Sequence, residues 1–171
     1  PTFGIRRDRL ISYESARDSF VHRAALPVPR GFYWSKEIYQ FFRGLPERHG
    51  DVRKIYISRS LSGRGPENEN EVECAVSELG FTVVHAQNIP ISDQAELFSG
   101  TNFIIAPHGA GLSNLLYTQP GTKLIEVFTS SFINRDFYLR SLNNDIHYYP
   151  IVFDGNLDIS VLKSAIETIG K

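Results

Sequence analysis

Between Phe103 and Phe128 the chain reads FIIAPHGAGLSNLLYTQPGTKLIEVF, and this segment limits the fold more than any other. A β-branched run (Ile104, Ile105) breaks at Pro107 and passes through His108-Gly109-Ala110-Gly111. It then takes helical spacing through Leu112, Leu115 and Leu116. Pro120 and Gly121 end the helix, and a second apolar run, Lys123 to Phe128, carries one carboxylate, Glu126. The pattern is a strand, a Gly-rich elbow opening a helix, and a return strand. Free N–H groups and partial positive charge at such a helix N-terminus suit a phosphate. Gly109 and Gly111 let the backbone come close to a ligand. A carboxylate at the tip of the next strand can hold a ribose by its hydroxyls, as in dinucleotide-binding folds. With the Ser113-Asn114 pair, the segment reads as a nucleotide site.

From about Arg53 onward, strands and helices alternate. Strands are expected at Lys54–Ser58, Phe81–His85, Asn102–Ala106, Lys123–Phe128 and His147–Phe153. Between them come a helix capped by Asn70 and stopped by Gly80, a second capped by Ser92, and the elbow helix. A helix over Asn134–Leu142 and a closing one over Asp158–Ile169 complete the series. Regular alternation of this kind gives an α/β fold, a Rossmann-like doubly wound parallel sheet of about five strands over residues 51–171. Ligands then bind beyond the strand C-termini. Residues 1–50 read as an N-terminal extension or connector, with short strands at Arg9–Tyr13 and Phe20–Leu26 and a helix from Ser35 through Phe42.

Composition narrows the class. Among 171 residues, 42% are hydrophobic and 22% charged, as in a globular domain. A net charge of −1 argues against a nucleic-acid partner. No apolar run reaches the length of a membrane span. The single Cys74 excludes an internal disulfide framework and fits a reducing compartment. The absence of methionine and the Pro1-Thr2 start are expected of a processed chain or a piece of a longer protein.

The candidate site residues follow from position. Arg59 stands just past the first parallel strand, where a guanidinium can take a diphosphate in bidentate fashion. Arg64, on the loop beyond, can close over the same group. His108 precedes the elbow helix and can donate to phosphate or ribose. Glu126, near a strand end, needs a partner because a buried unpaired carboxylate is costly. Several motifs are missing: Asp-x-Asp, HExxH or other metal spacing, GxSxG, GxxxxGK[ST], and GxGxxG after the first strand. These absences disfavour a metal-bridged sugar diphosphate, zinc chemistry, an α/β hydrolase, a P-loop NTPase and NAD.

The order Ile57-Ser58-Arg59, Asn70-Glu71, Leu79-Gly80-Phe81, Asp93–Phe98, APHGAGLSN and LIEVF resembles the glycosyltransferase family 61 domain over roughly Leu26–Phe153. In bacteria that domain is associated with capsular polysaccharide biosynthesis. The resemblance implies inverting, metal-independent transfer from a nucleotide sugar (UDP-sugar or GDP-sugar) to a glycan or other acceptor, without a cofactor. It also implies one half of a GT-B fold. Arg59 and Arg64 would bind diphosphate. His108, Gly109, Ala110, Gly111, Leu112 and Asn114 would cradle phosphate and ribose, and Glu126 would hold the ribose. The acceptor half is expected in a missing N-terminal domain, in residues 1–50 or in a partner subunit. The isolated chain should then bind donor and transfer weakly or not at all, and the sequence assigns no catalytic base. A non-catalytic nucleotide-binding module with the same half-fold is the alternative. A cytoplasmic bacterial location follows, with any membrane association coming through partners.

Overall fold

The computed structural model describes residues 36–46, 53–62 and 65–170. The two N-terminal strands expected at 9–13 and 20–26, and Arg64, lie outside the described residues. The elements run α1 (Lys36–Arg43), β1 (Arg53–Ile57), α2 (Glu69–Glu78), β2 (Thr82–Val84), α3 (Ile91–Ser99), β3 (Thr101–Pro107), β4 (Lys123–Thr129), α4 (Asp136–Asn143), β5 (His147–Phe153) and α5 (Ile159–Gly170). The five strands form one parallel sheet in the order β2-β1-β3-β4-β5. The chain leaves β1 toward β2, then crosses back to β3. Its topological switch point therefore lies between β1 and β3, where a doubly wound sheet opens a crevice at its C-terminal edge.

Strand alternation sorts the core into two faces. Tyr56, Phe103, Ile105, Ile125 and Val127 face Val72 and Val76 of α2 and Leu162 and Ile166 of α5. Ile104, Leu124, Glu126 and Phe128 occupy the intervening positions and are also buried. Burial on both faces explains why β3 and β4 read as nearly continuous apolar runs. Helix α1 belongs to the compact unit Tyr33–Lys171. It is held there by Tyr39, whose hydroxyl donates to the Arg140 carbonyl at 3.2 Å. Arg43 adds bonds to the Thr118 and Asn144 carbonyls at 2.6 and 2.7 Å.

Three local expectations are corrected. The elbow helix is a 3-10 helix, Ala110–Tyr117. The Asn114 side chain donates to the Gly111 carbonyl at 3.1 Å, the group that an α-helical Leu115 N–H would need. Helix α2 starts one residue before Asn70, with Asn68 at its N-cap position. Asn68 makes no side-chain cap. Its amide instead pairs with both backbone groups of Leu157, donating at 3.0 Å and accepting at 2.9 Å. Helix α3 begins at Ile91 after Pro90, so Ser92 lies inside it. Pro90 fixes that boundary because the ring cannot extend the helix backward.

Candidate functional site

At the C-terminal edge of the sheet, a cleft of about 690 Å³ opens over the switch point. One wall is Arg59 after β1, with His108, Gly109, Ala110 and Ser113 of the elbow. The opposite wall comes from the β4–α4 connection and α4: Phe132, Asp136, Phe137 and Arg140.

Arg59 crosses the gap between the two switch-point loops. Its Nη1 donates to the His108 carbonyl at 2.8 Å, which lays the guanidinium across Gly109. A Cβ on Gly109 would stand 1.4 Å from that nitrogen. Gly109 is extended (φ 162°), so its need for glycine is one of space and not of backbone strain. Gly111 has a similar but milder reason, since a Cβ there would meet Ile57 Cγ2 at 3.1 Å. The elbow is fixed to the neighbouring strand by the His108 N–H, which donates to the Val127 carbonyl at 2.9 Å.

Glu126 lies behind His108. It is fully buried, and Nδ1 of His108 approaches its Oε1 at 2.6 Å while the Tyr148 hydroxyl donates to Oε2 at 2.7 Å. Burial drives the Glu126 carboxyl above its ordinary range, and the hydrogen bonds from Tyr148 and His108 oppose that rise. Burial, with the adjacent Glu126 carboxylate, likewise raises the Tyr148 phenol well above its usual value, so Tyr148 remains a donor. Beside an ionised Glu126, His108 carries its proton on Nδ1, which leaves Nε2 as the ring nitrogen for a ligand. Phe128 stacks on the imidazole at 5.4 Å between centroids, and Phe132 and Phe137 flank it at 5.4 and 5.5 Å. The ring is held in one plane by packing and in one rotation by the carboxylate.

Four of the nine residues expected at the site line the cleft: Arg59, His108, Gly109 and Ala110. Gly111, Leu112, Asn114 and Glu126 stand behind it. Leu112 is core, and Asn114 turns toward α3, donating to Gln94 Oε1 at 2.6 Å. Glu126 is fully buried, and its contacts make it the orienting group of His108. Arg64 is outside the described residues. Sequence reasoning missed Tyr148, which the β4–β5 register brings to Glu126, and the aromatic wall with Arg140. Arg140 pairs with Asp136 at 3.0 Å and covers the Phe137 ring. That i,i+4 spacing was visible in the sequence. The pair Asn70-Glu71 is exposed, whereas Glu69 beside it is buried and bonded to the Arg59 main chain.

Among the described residues no helix is long and apolar enough to cross a membrane, and no group of three His, Cys, Asp or Glu side chains could hold a metal ion. No curated protein matches the chain. The sequence model of the family described as glycosyltransferase 61 matches residues 12–125, which is 114 of 171 positions and includes Arg59 and the whole His108–Asn114 elbow. The match spans two thirds of the chain, and the chain belongs to glycosyltransferase family 61.

Proposed function

We propose that the cleft binds the nucleoside diphosphate of a nucleotide sugar and serves an inverting, metal-independent glycosyl transfer in polysaccharide or glycan synthesis. The observation that carries this reading is Arg59 lying over Gly109 at the switch point, beside the elbow amides and the buried His108–Glu126 pair. A diphosphate seated there meets a guanidinium and the N–H groups that open the 3-10 helix, while Nε2 of His108 can accept from a ligand hydroxyl. In inverting transfer the acceptor oxygen attacks the anomeric carbon, its bond to the diphosphate breaks, and negative charge grows on the departing phosphate. Fixed donors aimed at that charge lower the barrier because they need no reorganisation as it develops. Glu126 contributes by fixing the His108 tautomer, and Tyr148 by keeping Glu126 in place. The base that deprotonates the acceptor belongs to a part of the enzyme outside this cleft, in an acceptor half or a partner. Uridine or guanosine diphosphate is the expected nucleotide, and capsular polysaccharide the expected setting.

Calorimetric titration with UDP, GDP and CDP, with and without magnesium, tests this. One diphosphate should bind equally well under both conditions. Arg59→Ala should weaken it roughly 10- to 100-fold, the worth of a charge-assisted contact. Binding that requires magnesium, or that is indifferent to Arg59→Ala, would defeat the reading.

A further inference from the structure

The turn after β1 has its own buried carboxylate. Glu69, the first residue of α2, is buried, and its Oε1 accepts from the Arg59 main-chain N–H at 2.9 Å and from the Tyr56 hydroxyl at 2.8 Å. One helical turn on, Glu73 accepts from Ser58 Oγ at 2.5 Å, and that same hydroxyl oxygen accepts from the Ser60 N–H at 3.1 Å. Residues four apart share a helix face, so α2 grips the turn 58–60 on both sides of Arg59. Glu69 Oε2 is shielded from solvent and has no hydrogen-bond partner among the described residues. It faces Gly65, where a Cβ would stand 2.0 Å away. A buried carboxylate oxygen without a donor costs stability. Tyr56 and the Arg59 amide need only one acceptor atom, which a neutral amide side chain would supply.

We propose that Glu69 is the positioning residue of Arg59: it anchors the main chain so that the guanidinium spans the switch point and meets the ligand diphosphate. The inference rests on the proposed nucleotide-sugar reading for its ligand, but not for its geometry. Arg59 is then pinned at two ends, its amide by Glu69 and its Nη1 by the His108 carbonyl. Glu69 never touches the ligand.

The test is a double-mutant cycle on UDP or GDP affinity, whichever binds, with a ligand-free arm. Glu69→Ala should weaken binding about 30-fold in the native background and not at all in an Arg59→Ala background. Glu69→Gln, which keeps Oε1, should recover most of the affinity and lose no thermal stability. A merely structural role predicts that affinity and stability fall together and that the two substitutions add. In the ligand-free arm, ¹⁵N relaxation of the Arg59 Nε–H should show an ordered guanidinium in the native chain and a mobile one in Glu69→Ala. If no diphosphate binds the native protein, the functional reading falls while the relaxation arm still decides this one. Native affinity in Glu69→Ala, additive losses, or an unchanged Arg59 relaxation rate would overturn the proposal.

Discussion

The β1–α2 corner and the β3–β4 corner of the cleft share a plan, a buried carboxylate behind a residue that faces the ligand. Glu69 stands behind Arg59 and Glu126 behind His108. They differ in what is held. Glu126 grips a side chain, the imidazole, and both of its oxygens are bonded. Glu69 grips a main chain, and its other oxygen has no donor among the described residues. A short ring already walled by three phenylalanines needs only its rotation fixed. A long guanidinium needs its point of departure fixed and a second hold at its tip. The two carboxylates match the lengths of the side chains they serve.

The sharpest way to break this pairing is Gly109→Ala, because Arg59 reaches the second corner only across that glycine. The added methyl would collide with Nη1, while the extended backbone accepts alanine without strain. Loss of UDP or GDP affinity should match that of Arg59→Ala, roughly 10- to 100-fold, with an unchanged melting temperature. Calorimetry together with a thermal melt checks both halves.

Tyr148→Phe acts on the saturated carboxylate alone. It strips Oε2 of its donor in a site that water does not reach, and should cost about 1–3 kcal/mol in urea denaturation. The pH dependence gives an independent reading. Glu126 has a raised carboxyl pKa, so the folded state holds its proton to higher pH than the unfolded state. Its contribution to stability is therefore greatest below the unfolded value of about 4.5 and declines as pH rises toward the folded value. Removing the phenol removes one of the bonds that oppose the rise, so the decline should extend to higher pH in Tyr148→Phe. Glu126→Gln should abolish it.

The smallest effects separate two asparagines. Asn68→Ala loses both bonds to Leu157 and should cost about 1–2 kcal/mol. Asn70→Ala, exposed within α2, should stay within about 0.5 kcal/mol. Equal losses at the two positions would mean that the tie to Leu157 carries no weight.

These two residues also show how far the sequence could be read. The strand–elbow–strand unit was legible because Ile104-Ile105, the paired glycines and the Pro120-Gly121 stop all point the same way locally. Five parallel strands followed from the spacing of their apolar runs. Arg59 was legible from its place after a strand. In Asn68-Glu69-Asn70-Glu71, however, two overlapping frames offer the same cap chemistry, and the choice is made by Leu157, 89 positions away. That Glu126 needs a partner is legible locally, but nothing local shows that Tyr148 donates to it. Sheet register supplies that partner. The 3-10 form of the elbow was hidden for a similar reason, since it turns on one side-chain bond from Asn114 to Gly111.

The tie between Asn68 and Leu157, reinforced by the Glu67 N–H donating to the Gly155 carbonyl at 3.0 Å, gives the two corners different fates as the molecule opens. The start of α2 depends on the connection between β5 and α5, so opening of that connection loosens the arginine corner first. The histidine corner, enclosed between β3 and β4 at the centre of the sheet, stays shut until global unfolding. In native-state hydrogen exchange, the Leu157 amide and the Arg59 amide should therefore exchange as one cooperative unit. The His108 amide should belong to the slowest class.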